Sequence, residues 1–148
     1  MTLSEKPERK PNVVLDTNVI ISAVLSRESP PANIFKLLLS DKIQNFATEE
    51  ILGEIRGVLG RDAIAKYASV EFRDFALAAF EQKSAFVQPK YLPKVVPEDP
   101  DDDKFFHCAL TANADFLISG DKNVLKIKEL QKIKVVSPRD FLTHHSQP

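Results

Sequence analysis

Three short segments, residues 13–16, 116–119 and 133–136, read as strands that are apolar on both faces. A strand with one wet face alternates polar and apolar side chains. A strand that is apolar on both faces must be covered on both, which points to a parallel sheet between helices. The intervening sequence supplies those helices. Val19–Leu25 reads as one, started by Thr17 or Asn18, and Ala32–Ser40 as another with a broad apolar face. Thr48 is placed to cap a third, with Glu49 and Glu50 in its first turn and a buried stripe of Ile51, Leu52, Ile55, Val58 and Leu59. Residues 61–86 keep helical spacing in two pieces through Phe72, Phe75, Ala76, Ala79, Phe80 and Phe86, and Lys104–Ala112 reads as a further helix. Ser137-Pro138-Arg139-Asp140 offers an N-cap, a proline at N1 and an acid at N3 for a short last helix. Lys42–Ala47 and Lys94–Val96 read as two more strands, giving an α/β chain throughout.

The 148 residues suit one domain. It is expected at 12–142, between a loose leader at 1–11 and an unstructured tail at 143–148 that includes His144 and His145. The single cysteine, Cys108, allows no intrachain disulfide, and no Cys/His cluster has zinc-ligand spacing. A net charge of -1 gives none of the basic footprint of a general polyanion binder. No apolar run approaches the length of a membrane span, and the first residues are polar, so the expected location is the cytoplasm.

Asp16 ends the first apolar strand and Asp121 follows the fourth, after Phe116-Leu117-Ile118-Ser119-Gly120. Right-handed crossovers bring the C-terminal ends of parallel strands to one edge, where open α/β sheets bind ligands. Thr17 and Asn18 are expected to cap the first helix and leave Asp16 free. Glu54 borders the apolar stripe of its helix. The run Glu98-Asp99-Pro100-Asp101-Asp102-Asp103 offers Asp102 by its spacing to Phe105 and Ala109, with Asp103 as the close competitor; the other acids of the run read as loop or capping residues. An all-carboxylate set without His or Cys suits a hard cation, Mg²⁺ or Mn²⁺, whose work beside phosphate is to ionise water and stabilise an in-line displacement. His107 and Cys108 read as structural. Lys122, Lys126, Lys128, Lys132 and Lys134, with Arg27, Arg56 and Arg61, are candidates to grip phosphates, each also explicable as ordinary surface.

The ordered segments Val13–Ala23, Glu54-Ile55, Asp99–Phe105 and Ala114–Asp121 resemble a PIN domain over residues 12–142, and most closely the prokaryotic members regarded as toxins of type II toxin–antitoxin pairs. The resemblance implies a three-layer α/β/α sandwich with a central parallel sheet. It implies a metal-dependent ribonuclease whose Mg²⁺ or Mn²⁺ is held by Asp16, Glu54, Asp102 and Asp121, with Asp103 the alternative in the third place. Asn18 and Ser119 match the family's small polar residues beside the first and last acids. It also implies an RNA substrate, a small antitoxin partner and a homodimer. The rival expectations are a non-catalytic PIN-like module that binds RNA or protein, and a phosphatase-type hydrolase. The second is disfavoured because Asp16-Thr17-Asn18 lacks a second acid.

Overall fold

The computed structural model describes residues 9–145. Most of the expected leader, and the last three residues of the tail, lie outside the described residues. The chain runs β1 (Asn12–Leu15), α1 (Thr17–Leu25), α2 (Pro30–Leu39), β2 (Gln44–Ala47), α3 (Glu49–Leu59), α4 (Asp62–Ala65), α5 (Val70–Lys83) and β3 (Ser84–Phe86). A 3₁₀ turn at Pro100–Asp102 leads into α6 (Asp103–Ala112), followed by β4 (Phe116–Ile118), α7 (Lys122–Leu125), β5 (Glu129–Leu130), β6 (Ile133–Val136) and α8 (Pro138–His145).

The strands form one six-stranded sheet in the order β3-β2-β1-β4-β6-β5, parallel except where β5 pairs antiparallel with β6. The expected α/β fold, a mostly parallel sheet flanked by helices, is what the chain adopts. Val13, Val14 and Leu15 in the central β1 are all fully buried, as a strand covered on both faces requires. The helix α6 lies against β1, β2 and β4 and contributes the buried rings of Phe105 and Phe106. From β1 the chain builds outward through β2 to β3, then crosses back to place β4 on the other side of β1. The order reverses between β1 and β4, which makes the crevice beyond their C-terminal ends the sheet's natural binding position.

Buried Asn45 ties three strands together. Its side-chain oxygen accepts from the Leu15 N–H at 3.0 Å, and its amide donates to Ser84 Oγ at 2.8 Å. A polar side chain inside the sheet thus fixes β1, β2 and β3 relative to one another.

Three expectations are corrected. The third strand is Ser84–Phe86, paired with Asn45–Ala47, not Lys94–Val96. The Val95 and Val96 amides instead donate to Asp103 Oδ1 at 3.1 and 2.7 Å, so a carboxylate takes the place of a neighbouring strand. The last helix continues through His144 and His145, because the His145 ring stacks on Phe141 at 4.7 Å and meets Phe116 edge-on at 5.0 Å. The cap of α1 is Asp16 itself: Oδ1 accepts from the Asn18 N–H at 3.2 Å, and Thr17 is the first helical residue.

Candidate metal centre

The β1–β4 edge is built by reciprocal hydrogen bonds between two strand-end turns. Asp16 N donates to Ile118 O at 3.0 Å, continuing the β1–β4 ladder by one residue. Ser119 Oγ donates to Asp16 Oδ2 at 2.6 Å and accepts from Asp121 N at 3.0 Å. Asn18 Oδ1 accepts from Gly120 N at 3.2 Å. Asp121 caps α7 through Oδ1, which accepts from Asn123 N at 2.8 Å. Asn18 and Ser119 therefore lock the Asp16 turn to the Asp121 turn, each bridging the two.

Asp16 is only 4% exposed and, among the described residues, pairs with no cation. Burial raises its pKa to about 6, and the negative charges of Glu54 and Asp121 add to the rise against the lowering hydrogen bonds from Ser119 and Asn18. Asp102 is raised further, to about 7, first by burial and then by the charges of Asp16, Asp99 and Asp121. Its Oδ2 is buried and has no hydrogen-bond partner among the described residues. One carboxylate oxygen each from Asp99, Asp102 and Asp121 lie within 4.8 Å of one another.

Glu54 approaches on α3. Its Oε1 accepts from the Thr17 hydroxyl, and its Oε2 pairs with Lys104 Nζ at 2.9 Å. Lys104 is 5% exposed. Its ammonium also donates to Asp101 O at 2.7 Å and pairs with Asp101 Oδ2 at 3.0 Å. Burial lowers the lysine's pKa, but Glu54 and Asp101 outweigh it and leave the pKa raised, so Lys104 is a fixed cation.

The structure thus gathers Asp99, Asp102 and Asp121, with Asp16 in electrostatic reach of Asp102, Asp121 and Glu54, and leaves Asp103 engaged with the 95–96 backbone. Asp99, expected only as a loop or capping acid, joins Asp102 and Asp121. The Asp-Pro start of a 3₁₀ turn was the available signal, since residues three apart eclipse in that geometry and bring Asp99 over Asp102. Thr17 is expected only as a cap, not as the donor to Glu54 that it is, and Lys104 is not anticipated at all. His107 Nε2 lies 2.8 Å from Pro93 O, and the buried Cys108 thiol is pushed up to about 12. Lys132 and Lys134 flank the start of β6, at the sheet edge opposite the acids, because β6 runs parallel to β4.

An orphaned buried carboxylate oxygen, two carboxyls whose pKa values are raised first by burial and then by neighbouring acids, and an all-oxygen donor set fit a hard divalent cation. The class so defined is an α/β domain with an acidic metal-type centre at the switch point of its sheet. The description of the PIN domain matches residues 12–123, and the chain belongs to the PIN-domain family, whose members are generally nucleases. It is 33% identical over 148 aligned residues to an uncharacterized protein of Methanocaldococcus jannaschii, covering 93% of this chain and 94% of that one. The crystal structure of PAE2754 from Pyrobaculum aerophilum shares the fold at a TM-score of 0.62 and 11% identity, covering 97% of this chain and 95% of that one. Among the described residues, no helix is long and apolar enough to cross a membrane.

Proposed function

We propose that the chain is a metal-dependent endoribonuclease whose Mg²⁺ or Mn²⁺ is held by Asp16, Asp102 and Asp121, with Asp99 joining them and Glu54 forming the facing wall. The observation that carries this reading is the buried Asp102 Oδ2, left without a donor among three other acids. A bound divalent ion supplies Lewis acidity toward the phosphate and a water acidic enough to attack near neutral pH. The chain's own residues do the rest. Ser119 and Asn18 hold the two strand-end turns at a fixed separation, so that Asp16 and Asp121 are already oriented. Lys122, exposed at the start of α7 next to Asp121, would meet backbone phosphate on the same edge.

The test is cleavage of a labelled structured RNA with Mg²⁺ or Mn²⁺, with EDTA, and with Asp16→Ala. Expected products carry 5′-phosphate and 3′-hydroxyl ends, and 2′,3′-cyclic phosphates would overturn the mechanism. Metal-dependent binding without cleavage, across several RNAs, would favour the non-catalytic module. The toxin role rests on the family resemblance, and co-purification with the product of a small adjacent reading frame tests it, together with the expected antitoxin. Size-exclusion chromatography with light scattering tests the homodimer.

A further inference from the structure

We propose that Lys104 is a built-in cation that holds Glu54 out of the metal's coordination shell, so that the centre takes a single divalent ion on the Asp102–Asp121 side; this rests on the metal-centre reading above. Both Glu54 oxygens are already engaged, Oε1 by Thr17 and Oε2 by Lys104 at 2.9 Å. Lys104 is not a surface lysine that can swing aside. Its side chain is 6% exposed, and its ammonium is pinned from a second direction by both the carbonyl and the carboxylate of Asp101. Asp101 adjoins Asp102 in the same 3₁₀ turn, so the turn that presents one acid to the cleft also anchors the lysine.

A dication bound directly to Glu54 would stand beside this ammonium, with little solvent between them to screen the repulsion. The other side of the cleft has the opposite imbalance. Among the described residues, Asp16 and Asp102 have no Lys or Arg partner there, and Asp102 Oδ2 has no hydrogen-bond partner. The centre is therefore divided. One half is neutralised by the chain's own cation, and the other is left for a cation from solution. Lys104 is a positioning residue in this scheme: it fixes Glu54 as an oriented acid facing the ion.

Mn²⁺ binding to the whole protein, followed by the electron paramagnetic resonance of free Mn²⁺ and by calorimetry, tests this without an activity assay. The wild type is expected to bind one Mn²⁺ per chain. Glu54→Gln should keep that ion within about threefold in affinity, while Asp102→Asn should weaken it at least about tenfold. Lys104→Met should free Glu54 and admit a second Mn²⁺. Lys104→Arg, and Lys104→Met combined with Glu54→Gln, should return the count to one. Two ions in the wild type, or a tenfold loss in Glu54→Gln, would overturn the role of Lys104 while leaving the metal centre standing. Absence of Mn²⁺ binding by folded wild type would remove the metal reading and this inference with it. If Lys104→Met does not fold, the Glu54→Gln comparison still decides.

Discussion

Two aspartates stand at opposite ends of β4 and live in opposite circumstances. Asp115, before the strand, accepts from the Asn12 N–H at 2.8 Å and pairs with the Arg9 guanidinium at 3.1 Å. Asp121, after it, faces Asp99 and Asp102, and its carboxylate accepts in addition the Asn123 N–H at 2.8 Å. The first carboxylate is complete within the chain. The second belongs to a group whose charge the chain leaves uncompensated, which costs stability in the free protein and is useful only if something else supplies the charge. An acid at a strand end therefore says little by itself; what distinguishes the two is the sign of the nearest charge.

Activity should show the largest contrast. Asp16→Ala or Asp121→Ala should reduce metal-dependent RNA cleavage at least about 100-fold. Asp115→Ala should leave the rate within about twofold, because its carboxylate serves the Asn12 amide and Arg9 at the far edge. Initial rates at saturating Mn²⁺ on one RNA separate the two. Equal losses at both ends would mean that the comparison reports folding and not function.

The pH dependence of stability should differ just as clearly. Asp16 rises from 3.8 to about 6 and Asp102 to about 7, so both bind protons more tightly in the folded chain than in the unfolded one. Stability of the metal-free protein should then fall as pH rises from about 4 to about 7 and level off above that range. Asp16 alone accounts for up to about 3 kcal/mol of this fall. Mn²⁺ competes with those protons, so the stabilisation it gives should grow over the same range. Urea unfolding at several pH values, with EDTA and with Mn²⁺, measures both slopes. Asp16→Asn should flatten the metal-free one.

Much of this arrangement is legible in the sequence, and the exceptions share a cause. Runs of apolar residues ending in Asp16 and Asp121 mark β1 and β4 because burial on both faces leaves a pattern in composition. Ser84–Phe86 hides because it follows α5 without a break and Phe86 continues the helical spacing; only its pairing with β2 makes it a strand. Lys94–Val96 has strand-like side chains, but a distant carboxylate claims its amides. The acids of the third segment are visible as a run, whereas their division is not. Asp103 turns to the backbone, Asp102 to the cleft and Asp101 to Lys104, and each outcome depends on a contact made only after folding. Lys104 carries no local signal, since the carboxylate of Glu54 reaches it from another helix.

The smallest effects come from the two basic residues that neutralise acids, and they sharpen the contrast between a buried and an exposed pair. Lys104→Met leaves Glu54 without its ammonium in a mostly buried place and should cost about 2 kcal/mol in metal-free protein, part of it recovered by adding Glu54→Gln. Arg9 is 64% exposed, so Arg9→Ala should cost less than about 1 kcal/mol, and 0.5 M salt should remove most of the difference. Salt should reduce the Lys104 effect much less, because the Lys104 side chain is 6% exposed and Glu54's 28%, against 64% for Arg9. Denaturation of both variants in low and high salt reads this directly. A strongly salt-sensitive Lys104 effect would show that water enters between Lys104 and Glu54, and would place that half of the centre in the same class as the Arg9–Asp115 pair at the opposite edge.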